Sequence, residues 1–268
     1  MLAYISHLAI YPLKSAAGIA LQQAELTPLG LQWDRRWLLV DDNGKFVTQR
    51  QYAQMALIHC HVLEGILHAK APNMPQLVAR PHQSDELSVS VWQDTITAFT
   101  VSTEADSWFS QYLGFSVRLV FFPEHSQRQV DTKWAGEGHQ TAFSDGFPIL
   151  VISQASFDDL SQHWGKTIDW RRFRPNIVIA GDFPAYWEDE CRSIKIGEME
   201  LALVKPCSRC VIPSIHPDTA EKDSSLLKVL QQNRRREDGK TYLGQNAIIQ
   251  QAQVGTMLKV GDKVEFLR

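Results

Sequence analysis

No apolar run in this sequence approaches the roughly 20 residues that a membrane-spanning helix needs. The opening segment, Met1 to Ala9, lacks a basic start, a long apolar block and a small-residue cleavage site, so it does not read as a secretory signal. Excess positive charge is missing as well: 27 Lys and Arg stand against 30 Asp and Glu, for a formal net charge of −3. Bulk attraction to nucleic acid or to an anionic membrane is thereby excluded, and any basic residues that matter must act as a local cluster. Cysteines number only four, Cys60, Cys191, Cys207 and Cys210. A chain long enough to bury a sizeable core has no need of disulfides. The expectation is a cytoplasmic protein with reduced thiols and no nucleic-acid or membrane partner. Also lacking are a Walker-type loop, Gly-x-Gly-x-x-Gly, His-Glu-x-x-His, Gly-x-Ser-x-Gly and any metal-like spacing among the nine histidines. Neither repeats, low-complexity tracts nor a long linker interrupt the chain.

What remains is a folded protein's composition, 44% hydrophobic and 21% charged. At 268 residues it suits one large domain or two modest ones. Strand patterns dominate. Ala3 to Tyr11 is apolar and ends at Pro12. Arg36 to Val40, the turn Asp41-Asp42-Asn43-Gly44, and Lys45 to Thr48 read as a hairpin. A second hairpin runs from His61 to Ala69 through Glu64-Gly65. A third joins Leu87–Trp92 to Thr95–Val101, turning at Gln93-Asp94. Thr103 to Leu113 has helical spacing, with Thr103 and Asp106 as a capping box and Gly114 as its stop. Ser116 to Phe122 returns to strand. The polar stretch Glu124 to Gln140 is long for a loop in a compact domain, which marks it as functional.

Beyond it the sequence predicts strands at Ile149–Ile152 and Asn176–Ala180, and a helix over Gln154–His163 capped by Ser153. The hairpin Ser193–Ile196 and Met199–Lys205 delivers Pro206 and the pair Cys207/Cys210. A helix over Asp223–Arg234 is followed by strands at Ala247–Gln251, Thr256–Val260 and Lys263–Leu267. Gly244-Gln245-Asn246 falls between helix and strand. The fold class is mostly β with a few helices, barrel-like rather than a doubly wound parallel sheet.

Cys207-Ser-Arg-Cys210 is the least ordinary feature. Arg209 and Lys205 beside it favour the reactive thiolate. Half of a zinc site, a dithiol or two packing thiols are the competing explanations. The segment Arg172-Phe-Arg174-Pro175-Asn176 puts two arginines at period two, which predicts one face of an extended strand suited to a phosphate. Alone, that pair is more often a solvated edge. Lys14 and Ser15, just after a strand, suit an anion, and alone they are a surface loop. Ser144-Asp145-Gly146 alone is a turn, and His216 alone a surface or core histidine.

Taken in order, these segments make a series: Tyr11-Pro-Leu-Lys14-Ser15, Asp34-Arg35-Arg36-Trp37, Thr48-Gln-Arg50-Gln51, Ser144-Asp145-Gly146-Phe-Pro148, Arg174-Pro-Asn176, Lys205-Pro-Cys207-Ser-Arg-Cys210, Gly244-Gln245-Asn246 and Val260-Gly-Asp262. The series spans nearly the whole chain and closely resembles the MOSC superfamily. Within it, the chain is most similar to the YcbX-like proteins and the amidoxime reducing components. The resemblance implies an N-terminal β-barrel domain over residues 1–122 and a MOSC domain over 123–268, with a molybdenum–molybdopterin cofactor between them. It implies Cys210 as the thiolate on molybdenum, and Lys14, Ser15, Arg35, Asp145, Gly146, Arg174 and Asn176 around the cofactor's phosphate and pterin. Arg209 joins the cofactor-binding set, and Cys207 is left in support. A soft thiolate suits a metal already bound by sulfur.

The implied reaction is reduction of N-hydroxylated compounds, such as hydroxylaminopurines and amidoximes. Several YcbX-like proteins carry an iron–sulfur domain after the MOSC domain. This sequence stops at Val264-Glu-Phe-Leu-Arg268 with no cluster-binding cysteine set, so a separate electron-donor protein is expected. Two alternatives come with the family: a cysteine persulfide at Cys207 or Cys210 for sulfur transfer, and a non-catalytic molybdopterin carrier.

Overall fold

Eight strands form the largest sheet of the computed structural model, which describes residues 2–81, 85–251 and 255–268. From one edge the order is Val264–Leu267, Ser193–Ile196, Met199–Ser208, Tyr242–Gln251, Ile149–Ser153, Ile177–Gly181, Ala3–Ile10 and Ile19–Leu21. The first strand of the chain is therefore stitched into the second half. Ala3 lies opposite Gly181 and Leu8 opposite Ile177 in antiparallel register. One pairing in this sheet is parallel, Ile149–Ser153 with Ile177–Gly181, connected through the helix Gln154–Trp164. Ile5, Leu8, Ile177, Ile179, Ile194 and Leu201 are fully buried in one core beneath this sheet.

Residues 37–121 build smaller sheets of their own. Trp37–Val40, Arg118–Phe121, Asp94–Thr100 and Glu86–Val91 form one, and His59–Leu63, Ile66–Lys70 and Leu77–Ala79 another. Met257–Lys259 from the far end of the chain pairs with Gln23–Thr27. The four α-helices are Thr103–Leu113, Thr132–Ala135, Gln154–Trp164 and Ser225–Arg234 among the described residues, so the protein is mostly strand, as expected.

Several local expectations meet the structure closely. The helix Thr103–Leu113 ends on Gly114 in the left-handed conformation, and Ser153 caps Gln154–Trp164 by accepting from the Ser156 amide. Others need correction. The cap of the first helix is Ser102, which accepts from the Ala105 amide, because Asp106 is occupied with the Leu119 amide. The third hairpin turns on Trp92-Gln93, since Val91 pairs directly with Asp94. Lys45–Thr48 does not form a full strand; Phe46 bridges Val40, and Lys45 bridges Ser90 instead. Gly244-Gln245-Asn246 lies inside the strand Tyr242–Gln251, whose bend is taken by Gly244 at φ 78°. The largest correction concerns Arg172 and Arg174. They do not share one face of a strand: Asp169 accepts from the Arg171 amide and starts a 3-10 turn at Trp170–Phe173, and Arg174 leaves it at φ 57°. Their guanidiniums diverge, Arg172 to the Pro213 carbonyl and Arg174 to the Ala16 carbonyl.

Candidate functional site

Lys14 and Ser15 follow the Ala3–Ile10 strand and are both buried. The backbone at Lys14 is fixed by its amide bonding to the Trp37 carbonyl. Its Nζ donates to the Phe143 carbonyl at 2.7 Å and to Asp145 Oδ1 at 2.6 Å. Arg50 meets the other oxygen of the same carboxylate, Nη2 to Oδ2, at 2.7 Å. The segment 142–145 is itself clamped by Arg128, whose Nη1 donates to the Ala142 carbonyl at 2.9 Å and the Ser144 carbonyl at 2.5 Å. Arg128 belongs to the long polar stretch 124–140, which also holds the helix Thr132–Ala135, and it fixes the segment that carries Asp145.

These charges set one another's protonation. Burial pulls the Lys14 ammonium down to about 8 against the pull of Asp145, with Arg128 and Arg50 pushing the same way as burial. Desolvation alone would raise Asp145, but Lys14 and Arg50 hold it well below the usual carboxylate range. For Arg50, burial is outweighed by Asp145 and by the charge of the Cys210 thiolate, and its pKa is raised. Arg50 therefore stands within electrostatic reach of Cys210 while it bonds Asp145.

A second cluster is built around the ring of Tyr11. The guanidiniums of Arg35 and Arg174 each lie 4.2 Å from its centroid. Arg35 bonds Asp34, reaches Asn176 Oδ1 at 3.1 Å, and donates to the Arg174 carbonyl at 3.2 Å. Asn176 Nδ2 in turn donates to the Ala9 carbonyl at 3.1 Å. Arg209 sends one nitrogen to the Phe173 carbonyl at 2.8 Å and another to Cys207 Sγ at 3.0 Å. Burial raises the Tyr11 hydroxyl pKa, with Arg174, Arg35 and Arg209 opposing it. Burial and the repulsion of Arg35 pull Arg174 down to about 10. Positive charge is thus crowded here beyond what Asp34 offsets.

Ser15, Arg35 and Arg174 all have positive φ, at 71°, 49° and 57°. Non-glycine residues pay for that conformation, and such strain gathers at functional sites. Arg174 Nη2 and Arg209 Nε are buried with no hydrogen-bond partner, and so is the acceptor Gln49 Oε1. Gln49 and Arg174 line one cavity of about 100 Å³. A side chain at Gly146 would meet nothing within 4 Å, so that flank is open.

The structure thus joins Lys14 with Asp145 and Asp145 with Arg50, and Arg35 with Arg174 and Asn176, while Cys210 lies within electrostatic reach of Arg50. Arg209 sits with Cys207. All four cysteines are free thiols, and no group of three or more His, Cys, Asp or Glu side chains arranged for a metal occurs among the described residues. Sequence reasoning did not assign Tyr11, Gln49, Arg50 or Arg128. The first three stood inside quoted motifs, so the signal was present; Arg128 carried none.

Residues 2–116 match the family model described as the MOSC N-terminal beta barrel domain, and residues 138–265 match the MOSC domain. Mitochondrial amidoxime-reducing component 1 of Mus musculus is 34% identical over 82% of this chain and 67% of its own length. Mitochondrial amidoxime reducing component 2 of Bos taurus is 33% identical, covering 82% of this chain and 68% of its own. The human component 1 is 32% identical over 98% of this chain and 82% of its own. Their names say mitochondrial, so the cytoplasmic expectation draws no support from them. No helix among the described residues is long and apolar enough to cross a membrane.

Proposed function

The chain belongs to the MOSC family, with both the N-terminal β-barrel domain and the MOSC domain, and we propose from this that it is a molybdenum-cofactor-dependent reductase of N-hydroxylated compounds with Cys210 as the metal's protein ligand. The observation that carries the proposal is the pair of buried guanidinium nitrogens without acceptors, Arg174 Nη2 and Arg209 Nε, in a crowded cationic cluster of an acidic chain. An unpaired buried donor costs about 1–3 kcal/mol, so each suits an acceptor oxygen of a bound anion. Gln49 Oε1 is the complementary acceptor for a donor on the same ligand. This donor set fits a phosphorylated pterin with a soft-liganded metal.

Lys14, Ser15, Arg35, Arg174, Asn176 and Arg209 would hold the cofactor, and Cys210 its molybdenum. When bound, the cofactor supplies the two-electron chemistry that removes the hydroxyl oxygen from an N-hydroxylated nitrogen. The chain supplies charge and position. Arg50 would set a cation near the Cys210 sulfur and favour its thiolate. Asp145 joins Lys14 to Arg50 and so couples the anion cradle to the thiol. Tyr11 packs its ring against both Arg35 and Arg174. The division at residues 122/123 and an electron donor outside these 268 residues belong to the same proposal. The relatives' names, amidoxime-reducing components, support the substrate class.

Metal and pterin analysis of protein made in a cofactor-competent host tests this. Stoichiometric molybdenum, with reduction of an amidoxime when electrons are supplied chemically, is the expected result. Cys210→Ala should lose that activity by at least a hundredfold. An active Cys210→Ala protein sinks the proposal. So does metal-free protein carrying a trapped persulfide on Cys207 or Cys210, which is the sulfur-transfer alternative.

A further inference from the structure

Trp92 sits at the tip of the hairpin joining Glu86–Val91 to Asp94–Thr100. A turn tip ordinarily carries a small polar residue. Here it carries an indole that is 51% exposed, on a backbone with φ 58°. Nothing about folding the hairpin asks for it; Asn or Gly adopts that conformation more easily. Its surroundings supply another reason. The Arg50 guanidinium lies over the indole, 4.8 Å from the ring, and the same guanidinium bonds Asp145 at 2.7 Å. Cys210 lies close enough to Arg50 to act on its charge, so this exposed ring flanks the thiol's neighbourhood. Phe46 packs edge to face with Trp92 at 5.0 Å, and Lys14 Nζ stands over Phe46 at 5.8 Å. Lys14, Asp145, Arg50, Trp92 and Phe46 thus form a closed ring of contacts, and Trp92 is its exposed aromatic member beside the exposed Asp145 carboxylate.

An indole immobilised by a cation and an aromatic edge offers a rigid apolar surface at little entropic cost. Flat conjugated ligands stack on such surfaces, and the interaction tolerates different ring systems. We propose that Trp92 is a specificity-determining residue that holds the planar, conjugated part of an aromatic N-hydroxylated substrate, an aryl amidoxime or an N-hydroxylated purine, while the N–OH group extends past Arg50 toward Cys210. The proposal rests on the reductase reading and narrows its substrate class. The competing platform is Trp134, 41% exposed beside a cleft of about 610 Å³. Its cation partners are Lys205, which also stands 5.4 Å from Phe147, and Lys133.

The test compares an aryl amidoxime with acetamidoxime on molybdenum-loaded wild type, Trp92→Ala, Trp92→Phe and Trp134→Ala, with thermal unfolding as the folding control. The readout is the ratio of kcat/KM for the aryl over the aliphatic compound. Trp92→Ala should lower that ratio about tenfold, chiefly through KM for the aryl compound, and Trp92→Phe should recover most of it. Calorimetric titration of the aryl amidoxime should give a matching, roughly tenfold rise in Kd for Trp92→Ala. An unchanged ratio in Trp92→Ala, or the loss falling on Trp134→Ala, overturns the assignment. If wild type reduces neither compound, the reductase reading fails, and the titration still decides Trp92: binding that does not depend on it, or no binding at all, overturns the proposal.

Discussion

Lys14 is the residue whose chemistry is most altered by its place. Its pKa falls from an ordinary 10.5 to about 8 because burial disfavours the cation more than Asp145 supports it. Two consequences of opposite sign follow. In the cofactor-free protein, the unfolded chain keeps this proton between pH 8 and 10.5 while the folded chain has lost it, so the contribution of Lys14 to stability rises with pH across that window. The same loss removes a positive charge from the anion cradle, and a bound anion holds the proton to higher pH, so affinity for the cofactor should fall as pH rises above about 8. Molybdenum retained after gel filtration at pH 7 and pH 9 measures the second effect. Lys14→Arg should flatten that dependence, and a wild type that holds its metal equally at both values contradicts the account. The proposed grouping of Lys14, Arg35, Arg174 and Cys210 came from the order of motifs, since alone Lys14 suits a surface loop and the arginines a solvated edge, and only the cysteine pair stood out by itself. The protonation of Lys14 was not legible, because it depends on a neighbour as distant in sequence as Asp145. Tyr11 was missed for the same reason: an aromatic after a strand gives no hint that two guanidiniums will stack on it.

Elements were readable where local chemistry decides and misread where tertiary contacts do. The helices Thr103–Leu113 and Gln154–Trp164 end where their glycines dictate. Arg172-Phe-Arg174 looked extended because alternation is the signature of a strand, but Asp169 imposes a turn there. Gly244-Gln245-Asn246 lacks the β-branched residues that announce a strand, yet it forms the middle of the central pairing. Asn246 Nδ2 donates to the Lys205 carbonyl at 3.2 Å, and Gln245 Nε2 to Asp189 at 2.5 Å, so this element braces the strand that delivers Cys207. Gly244 makes the approach possible: an added Cβ would stand 2.7 Å from the Val151 carbonyl oxygen and 2.4 Å from Ile152 Cγ1, on a backbone with φ 78°. One of those neighbours is backbone in the central sheet and cannot swing away. Gly244→Ala should cost about 3 kcal/mol or more, combining overpacking with strain. Chemical denaturation of the cofactor-free variant checks it, and a loss below about 1 kcal/mol would place the conformational demand elsewhere.

At the scale of the whole molecule, the two family segments are interwoven in space. Ala3–Ile10 belongs by sequence to the N-terminal part, yet it lies in the large sheet against Ile177–Gly181, and Gln23–Thr27 pairs with Met257–Lys259. The proposed site has the same construction, taking Lys14, Arg35 and Arg50 from one part and Asp145, Arg174 and Cys210 from the other. The sequence patterns identified Ala3–Ile10, Ile177–Gly181 and Met257–Lys259 approximately, missed Gln23–Thr27, and gave none of the pairings, since alternation says nothing about which partner a strand will find. The energetic consequence can be bounded. Ile5, Leu8 and Ile10 are 0%, 1% and 5% exposed, and fully burying one such side chain contributes about 1.5–3 kcal/mol. Removing the strand therefore forfeits on the order of 5–9 kcal/mol before any hydrogen bond is counted, comparable with the 5–15 kcal/mol that keeps a typical protein folded. It also uncovers Ile177 and Ile179, both 0% exposed in the full chain. Residues 123–268 produced alone should accordingly show no cooperative thermal transition and weak near-ultraviolet dichroism, whereas the full chain should melt in one transition that coincides for backbone and aromatic probes. A fragment 123–268 that melts cooperatively with native-like aromatic signals would show that the Ala3–Ile10 strand is an accessory to that core, and would make the shared site a contact between two independently stable parts.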